Sequence, residues 1–209
     1  MRRLLLSITV LLFTVATSVA GNLGNQFVTA KLAYGASIDI PRSWQIRRGN
    51  EMRAIETAVG AAIDLAGYST LVGGTESLLV SSFPDGRLYA GVTVTTTELP
   101  GSTRSSATSL TDAQLKSGDQ TIRQGMEATL ARLGGKAWGW TPLKTISMGK
   151  ATVLHISYLR SSDAGNRRVH IYKFFGTGRI YDVALSTSVA AEDVNSVVLK
   201  KMADSFSAL

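Results

Sequence analysis

Two stretches near residue 80 alternate apolar and polar side chains on either side of a tight turn, and this arrangement constrains the fold more than any other part of the chain. Leu78–Phe83 and Arg87–Thr97 flank Pro84-Asp85-Gly86, whose Asp-Gly pair accepts positive φ and reads as a β-hairpin. On the second arm Leu88, Ala90, Val92 and Val94 share one face, while Tyr89, Thr93, Thr95 and Thr97 share the other. One face is expected to be buried and the other at least partly wet. A second short turn, Gly176-Thr177-Gly178, joins Arg167–Phe175 to Arg179–Thr187 and makes those strands antiparallel neighbours. Leu143–Met148 and Thr152–Arg160 read as further strands. Residues 26–47 read as extended chain with a break at Gly35 and a stop at Pro41, because proline biases Ile40 to the extended region and cannot donate to a ladder.

Three segments change period. Met52, Ile55, Val59, Ile63 and Ala66 recur at spacings of three and four, with Gly67 as the cap. A second helix is expected after Thr111 or Asp112, with Leu115, Ile122, Met126, Leu130 and Leu133 as its stripe and Gly134-Gly135 as its end. Gly118 and Gly125 lie inside it and each costs about 1 kcal/mol against alanine, so its first turns are expected to be irregular. The last helix spans about Ala191–Phe206, with Val194, Val198, Met202 and Phe206 on one face. The Ser/Thr-rich Pro100–Ser109 has no periodicity and reads as a mobile connection. Hairpins and helices in this order indicate an α+β fold, an antiparallel β-sheet covered by helices on its faces.

The N-terminus sets the compartment. Arg2 and Arg3 precede an apolar run from Leu4 to about Val15, and Ser18-Val19-Ala20 place small side chains at a cleavage point before Gly21. Residues 1–20 read as a secretory signal peptide, leaving residues 21–209 as one α+β domain of the periplasm or the medium. No later segment approaches the roughly 18 apolar residues of a membrane span, so no stable membrane insertion is expected. The chain has no cysteine, which removes both disulfides and a lipidated anchor. Its formal charge of +7 falls when Arg2 and Arg3 leave, and only 18% of residues are charged. Nucleic-acid binders concentrate Lys and Arg among stacking aromatics, and that pattern is missing. The tightest basic sets, Arg42, Arg47, Arg48 and Arg53, then Arg160, Arg167 and Arg168, read as solvated faces or as weak attraction to anionic lipid head groups or an acidic partner.

Catalytic constellations are not recognisable. His155 and His170, the chain's two histidines, lie on separate strands without helical or turn spacing for zinc, and each reads as a structural or surface residue. A shared site would require their strands to pair so that both rings face one pocket, possibly beside Asp182. No Gly-x-Ser-x-Gly elbow occurs, Gly149-Lys150 lacks the upstream glycines of a phosphate loop, and Gly176-x-Gly178 belongs to a hairpin. No cofactor is expected. Trp138-Gly139-Trp140 reads either as a plug at the end of the core or as the lining of a groove.

Two segments resemble PsbP-like domains. Ser37-Ile38-Asp39-Ile40-Pro41-Arg42-Ser43-Trp44-Gln45-Ile46 resembles the strand, Pro-x-x-Trp corner and second strand near their start. Arg179–Thr187, followed by a helix ending Met202-Ala203-Asp204-Ser205-Phe206, resembles their end. The resemblance implies an α/β/α sandwich around an antiparallel sheet, and Trp44 buried at the corner. PsbP-like domains include an extrinsic photosystem subunit, a Ran-binding nuclear import factor and many exported bacterial proteins, and they generally act as binding or accessory modules. No functional residue carries over.

The reading that follows is an exported, non-catalytic binding or accessory protein of the bacterial cell envelope. Its partner is an unknown protein or an anionic envelope component, met at a sheet edge or a groove beside the helices, with Trp138, Trp140, Arg47 and Arg48 as contact residues. The alternatives are a small periplasmic hydrolase or metal-dependent enzyme with a dispersed site, and an exported effector acting on a host surface.

Overall fold

The computed structural model describes residues 26–47, 75–83, 89–161 and 165–208. Among them a ribbon of β1 (Phe27–Lys31) and β2 (Ser37–Pro41) stands apart from a larger sheet. That sheet contains β3 (Gln45–Arg47), β4 (Thr75–Phe83), β5 (Ala90–Glu98), β6 (Ala137–Trp138), β7 (Lys144–Met148), β8 (Ala151–Arg160), β9 (Arg167–Gly176) and β10 (Arg179–Ser188). Its order is β3-β4-β5-β10-β9-β8-β6, with β7 also on β8, and every pairing is antiparallel. The helix expected over residues 52–66, the turn at 84–86 and Arg48 lie outside the described residues.

Strand alternation sorts the core into two layers. Leu154, Ile156 and Tyr158 of β8 and Val169 and Ile171 of β9 meet Met126 and Leu130 of α1 (Asp112–Arg132). Val153, Phe174, Val183 and Leu185 point to the other side, against Leu199 and Met202 of α2 (Glu192–Ser205) and Phe206 just after it. The chain is thus an antiparallel sheet with helices on both faces, as the alternation implies. The β1–β2 ribbon flanks α2: Ser205 Oγ accepts from the Asp39 N–H at 2.9 Å, and Ser37 bridges Ser207. Trp44 is buried at the corner where its N–H meets the Pro41 carbonyl at 3.0 Å.

Local details depart from the pattern at four places. Thr93 and Thr95 are buried along with Val92 and Val94, so β5 is covered on both faces instead of wet on one. The first turns of α1 are regular; Thr111 and Gln114 form a reciprocal capping box. Gly118 serves close packing there, since a β-carbon would stand 3.3 Å from Leu143 Cδ2. Residues 100–109 are not a bare connection. Ser102 Oγ donates to the Gly176 carbonyl at 2.9 Å, and Gly178 N–H donates back to the Ser102 carbonyl at 3.0 Å. In α2 the buried face runs through Leu199, Met202 and Ala203, and Val194 is 73% exposed.

Candidate functional site

The first candidate is a cleft of about 660 Å³ at the start of α1. Ala107 and Leu110, Leu115 of the first helical turns, and Leu143 form its floor, while Thr108, Asp112, Lys116, Lys144 and Thr145 stand around it. The Thr111 cap and Pro142 fix both walls: one starts the helix, the other precedes Leu143 at the entry to β7. Asp119 joins them. Its carboxylate accepts from the Leu143 N–H at 2.8 Å and from Arg123 Nε at 2.6 Å, and Arg123 Nη2 also donates to the Thr141 carbonyl at 3.1 Å. Asp119 is therefore committed to holding the cleft in shape.

A second candidate lies on the opposite face of the sheet. Pairing of β8 with β9 sets His155 opposite Tyr172 and Ser157 opposite His170, and same-side partners bring His155 Nε2 within 3.1 Å of His170 Nδ1. The three rings are nearly parallel, with His155 and Tyr172 centroids 4.7 Å apart. Both histidines are half-buried. Burial pulls the His155 pKa down to about 4, aided by the His170 ring and by Lys144 across the strand. Burial, then Arg168, lowers that of His170. Two neutral imidazoles share one N–H here. The pair is thus brought together by register, which sequence spacing does not encode. Asp182 is not beside it: it pairs with Lys173 at 2.9 Å on the α1 side of the sheet.

The residues expected to make partner contacts do not form one surface. Arg47 is on β3 and Trp138 on β6, at opposite edges of the large sheet. Trp138 pairs with Leu159 and faces the α2 side, 38% exposed. Trp140 faces the α1 side, where its ring stacks on Tyr158 at 4.4 Å and its Nε1–H donates to Glu127 at 3.1 Å. Sequence reading missed the cleft, although the helix cap at Thr111 and the apolar pair Leu110 and Leu115 were visible signals. Among the described residues no group of three or more His, Asp or Glu is placed to hold a metal ion, and no helix is long and apolar enough to cross a membrane.

No family model matches the chain, and no curated protein matches it in sequence. Solved structures do match. Cyanobacterial PsbP from Synechocystis sp. PCC 6803 superposes with a TM-score of 0.56 at 12% identity, over 90% of this chain and 96% of that one. A Bacteroides thetaiotaomicron protein aligns at a TM-score of 0.46 and 7% identity, over 83% of this chain and 45% of that one. LpqN, involved in cell envelope biogenesis of Mycobacterium tuberculosis, aligns at 0.40 and 12% identity, over 86% and 87%. The first of these establishes that the chain has the PsbP-like fold.

Proposed function

We propose that residues 21–209 form an exported binding or accessory module of the bacterial cell envelope that seats a segment of a partner protein in the cleft at the start of α1. The observation that carries this reading is the distribution of polarity in the cleft. Its floor is apolar and its charges stand around it, with Asp119 already satisfied by Arg123 and the Leu143 amide. Such a surface accepts an apolar side chain of a partner while Lys116, Lys144 and Asp112 contact the flanking chain. The open form of the cleft suits an extended segment. The PsbP-like fold is compatible with this role, and the signal-like N-terminus supplies the compartment.

A photoreactive residue placed at Leu115 in the full-length chain, expressed in its native cell, tests the binding role. It is expected to trap one recurrent envelope protein that the same probe at exposed Gln124 does not trap. Equal capture at both positions, or none at Leu115, overturns the reading. Export is checked separately. Release by osmotic shock of a chain beginning near Gly21 supports it, and a cellular product that retains Met1 refutes it.

A further inference from the structure

The imidazole pair on the α2 side of the sheet has a direction. Its hydrogen bond requires one donor and one acceptor, so His155 Nε2 and His170 Nδ1 together carry one proton. His155 Nδ1 is buried without a partner. A proton there would be an orphaned buried donor, which costs more than an unfilled lone pair. The proton therefore sits on His155 Nε2 and is donated to His170 Nδ1. The remaining proton of neutral His170 is on Nε2, a nitrogen that is neither bonded within the chain nor among the fully buried unpartnered atoms, and so keeps some access to solvent. One imidazole thus fixes the tautomer of the other and leaves its outer N–H as an unpaired donor.

The surroundings select what such a donor can bind. On the same face Lys144 stands opposite His155, and Arg168 precedes His170 by two residues on β9. Lys144 and Arg168 disfavour a cation at the rings, the sense in which each depresses an imidazole pKa. From α2, Glu192 reaches Arg168 at 3.5 Å, and Arg168 Nη1 donates to the Gly139 carbonyl at 3.5 Å; both contacts are long and leave the guanidinium able to donate to a better acceptor, while Asp204 acts on Tyr172. β10 presents Leu185 and Thr187 here, neither of them titratable.

We propose that His170 Nε2–H and Arg168 bind an anionic oxygen group, a phosphate or a carboxylate, with His155 as the positioning residue that holds His170 in the donating tautomer. His170 and Arg168 do not line the cleft, and although Lys144 borders both places, either reading can fail without the other.

Long-range proton–nitrogen NMR of the histidine rings in the ¹⁵N-labelled mature chain tests it. Both rings are expected in the Nε2–H form, and titration with inorganic phosphate or with acetate is expected to move the His170 Nε2 signal along a saturable curve that chloride at equal ionic strength does not reproduce. Saturation by phosphate alone assigns a phosphoryl source, and saturation by both a carboxylate or phosphoryl source. Arg168→Ala should weaken the anion at least about tenfold, as loss of a charge-assisted hydrogen bond implies. Glu192→Gln, which removes the competing carboxylate from Arg168, should tighten it. His155→Phe keeps a ring against Tyr172 and should let His170 populate both tautomers while weakening the anion. A chloride response equal to that of phosphate, an affinity indifferent to Arg168→Ala, or no saturable shift with either anion overturns the proposal.

Discussion

Trp138 and Trp140 are separated by one residue yet stand on opposite faces of the sheet, with Gly139 turning the chain between them at a φ of 61°. Trp138 is the exposed member and Trp140 is stacked on Tyr158, while the third tryptophan, Trp44, is buried in the core. Iodide is therefore expected to quench chiefly Trp138. Trp138→Phe should remove most of the quenchable emission and change stability by less than about 0.5 kcal/mol, in the range of ordinary surface substitutions. Trp140→Ala should cost more, because it removes a stacked pair and leaves Arg123 without the ring 5.3 Å away. Equal iodide quenching in the wild type and Trp138→Phe would contradict this placement.

His155 makes stability depend on pH in a defined direction. Its native pKa of about 4 lies below the roughly 6.5 of an unfolded histidine, so the native state binds fewer protons between these values. The stability it contributes is complete above about pH 6.5, falls as the pH drops toward 4, and then levels off. Urea midpoints measured across that range should fall with acidification, and His155→Phe should make the fall shallower. A fall of identical slope in the variant would show that the histidine does not titrate as described.

Trp44 joins Phe27, Ile40 and Phe206 in the core around α2. Trp44→Ala is expected to cost about 3 to 5 kcal/mol, the usual range for emptying a large aromatic site. A denaturation midpoint equal to that of the wild type would refute its role.

Asp119 ties α1 to the strand side of the cleft through one backbone amide and one guanidinium. Asp119→Ala should destabilise by about 2 kcal/mol, since it strands the Leu143 N–H and releases Arg123. Asp119→Asn keeps an acceptor for the amide and should recover part of the loss. Thermal melts of the two variants separate the contributions; equal losses would assign the whole effect to the charge.

What the sequence made legible follows the range of the signal. Period-two runs joined by Gly176-Thr177-Gly178 fix the β9–β10 hairpin, and the Thr111 cap fixes the start of α1, because each is a local preference written in adjacent residues. Val194 keeps the four-residue spacing of Val198 and Met202, yet α2 is rotated so that Leu199 and Ala203 enter the core and Val194 and Val197 look outward. Thr93 and Thr95 alternate like a solvated face but are buried. The imidazole pair depends on strand register, and the cleft on the approach of α1 to β7; neither relationship exists until distant segments meet.

β10, the last strand of the sheet, lies inside it, with Thr187 opposite Ala90 on one side and Arg168 on the other. Before it forms, β3–β4–β5 and β9–β8 with β6 and β7 are separate sheets with no common edge, and α2 lacks Val183 and Leu185 beneath it. Completion of the core therefore waits on residues near the C-terminus, a long loop closure whose entropy is recovered only at the end. A chain threaded through a narrow channel from its N-terminus would remain open until almost all of it had passed, and truncation at Gly178 should leave two unjoined sheets in place of a smaller folded protein.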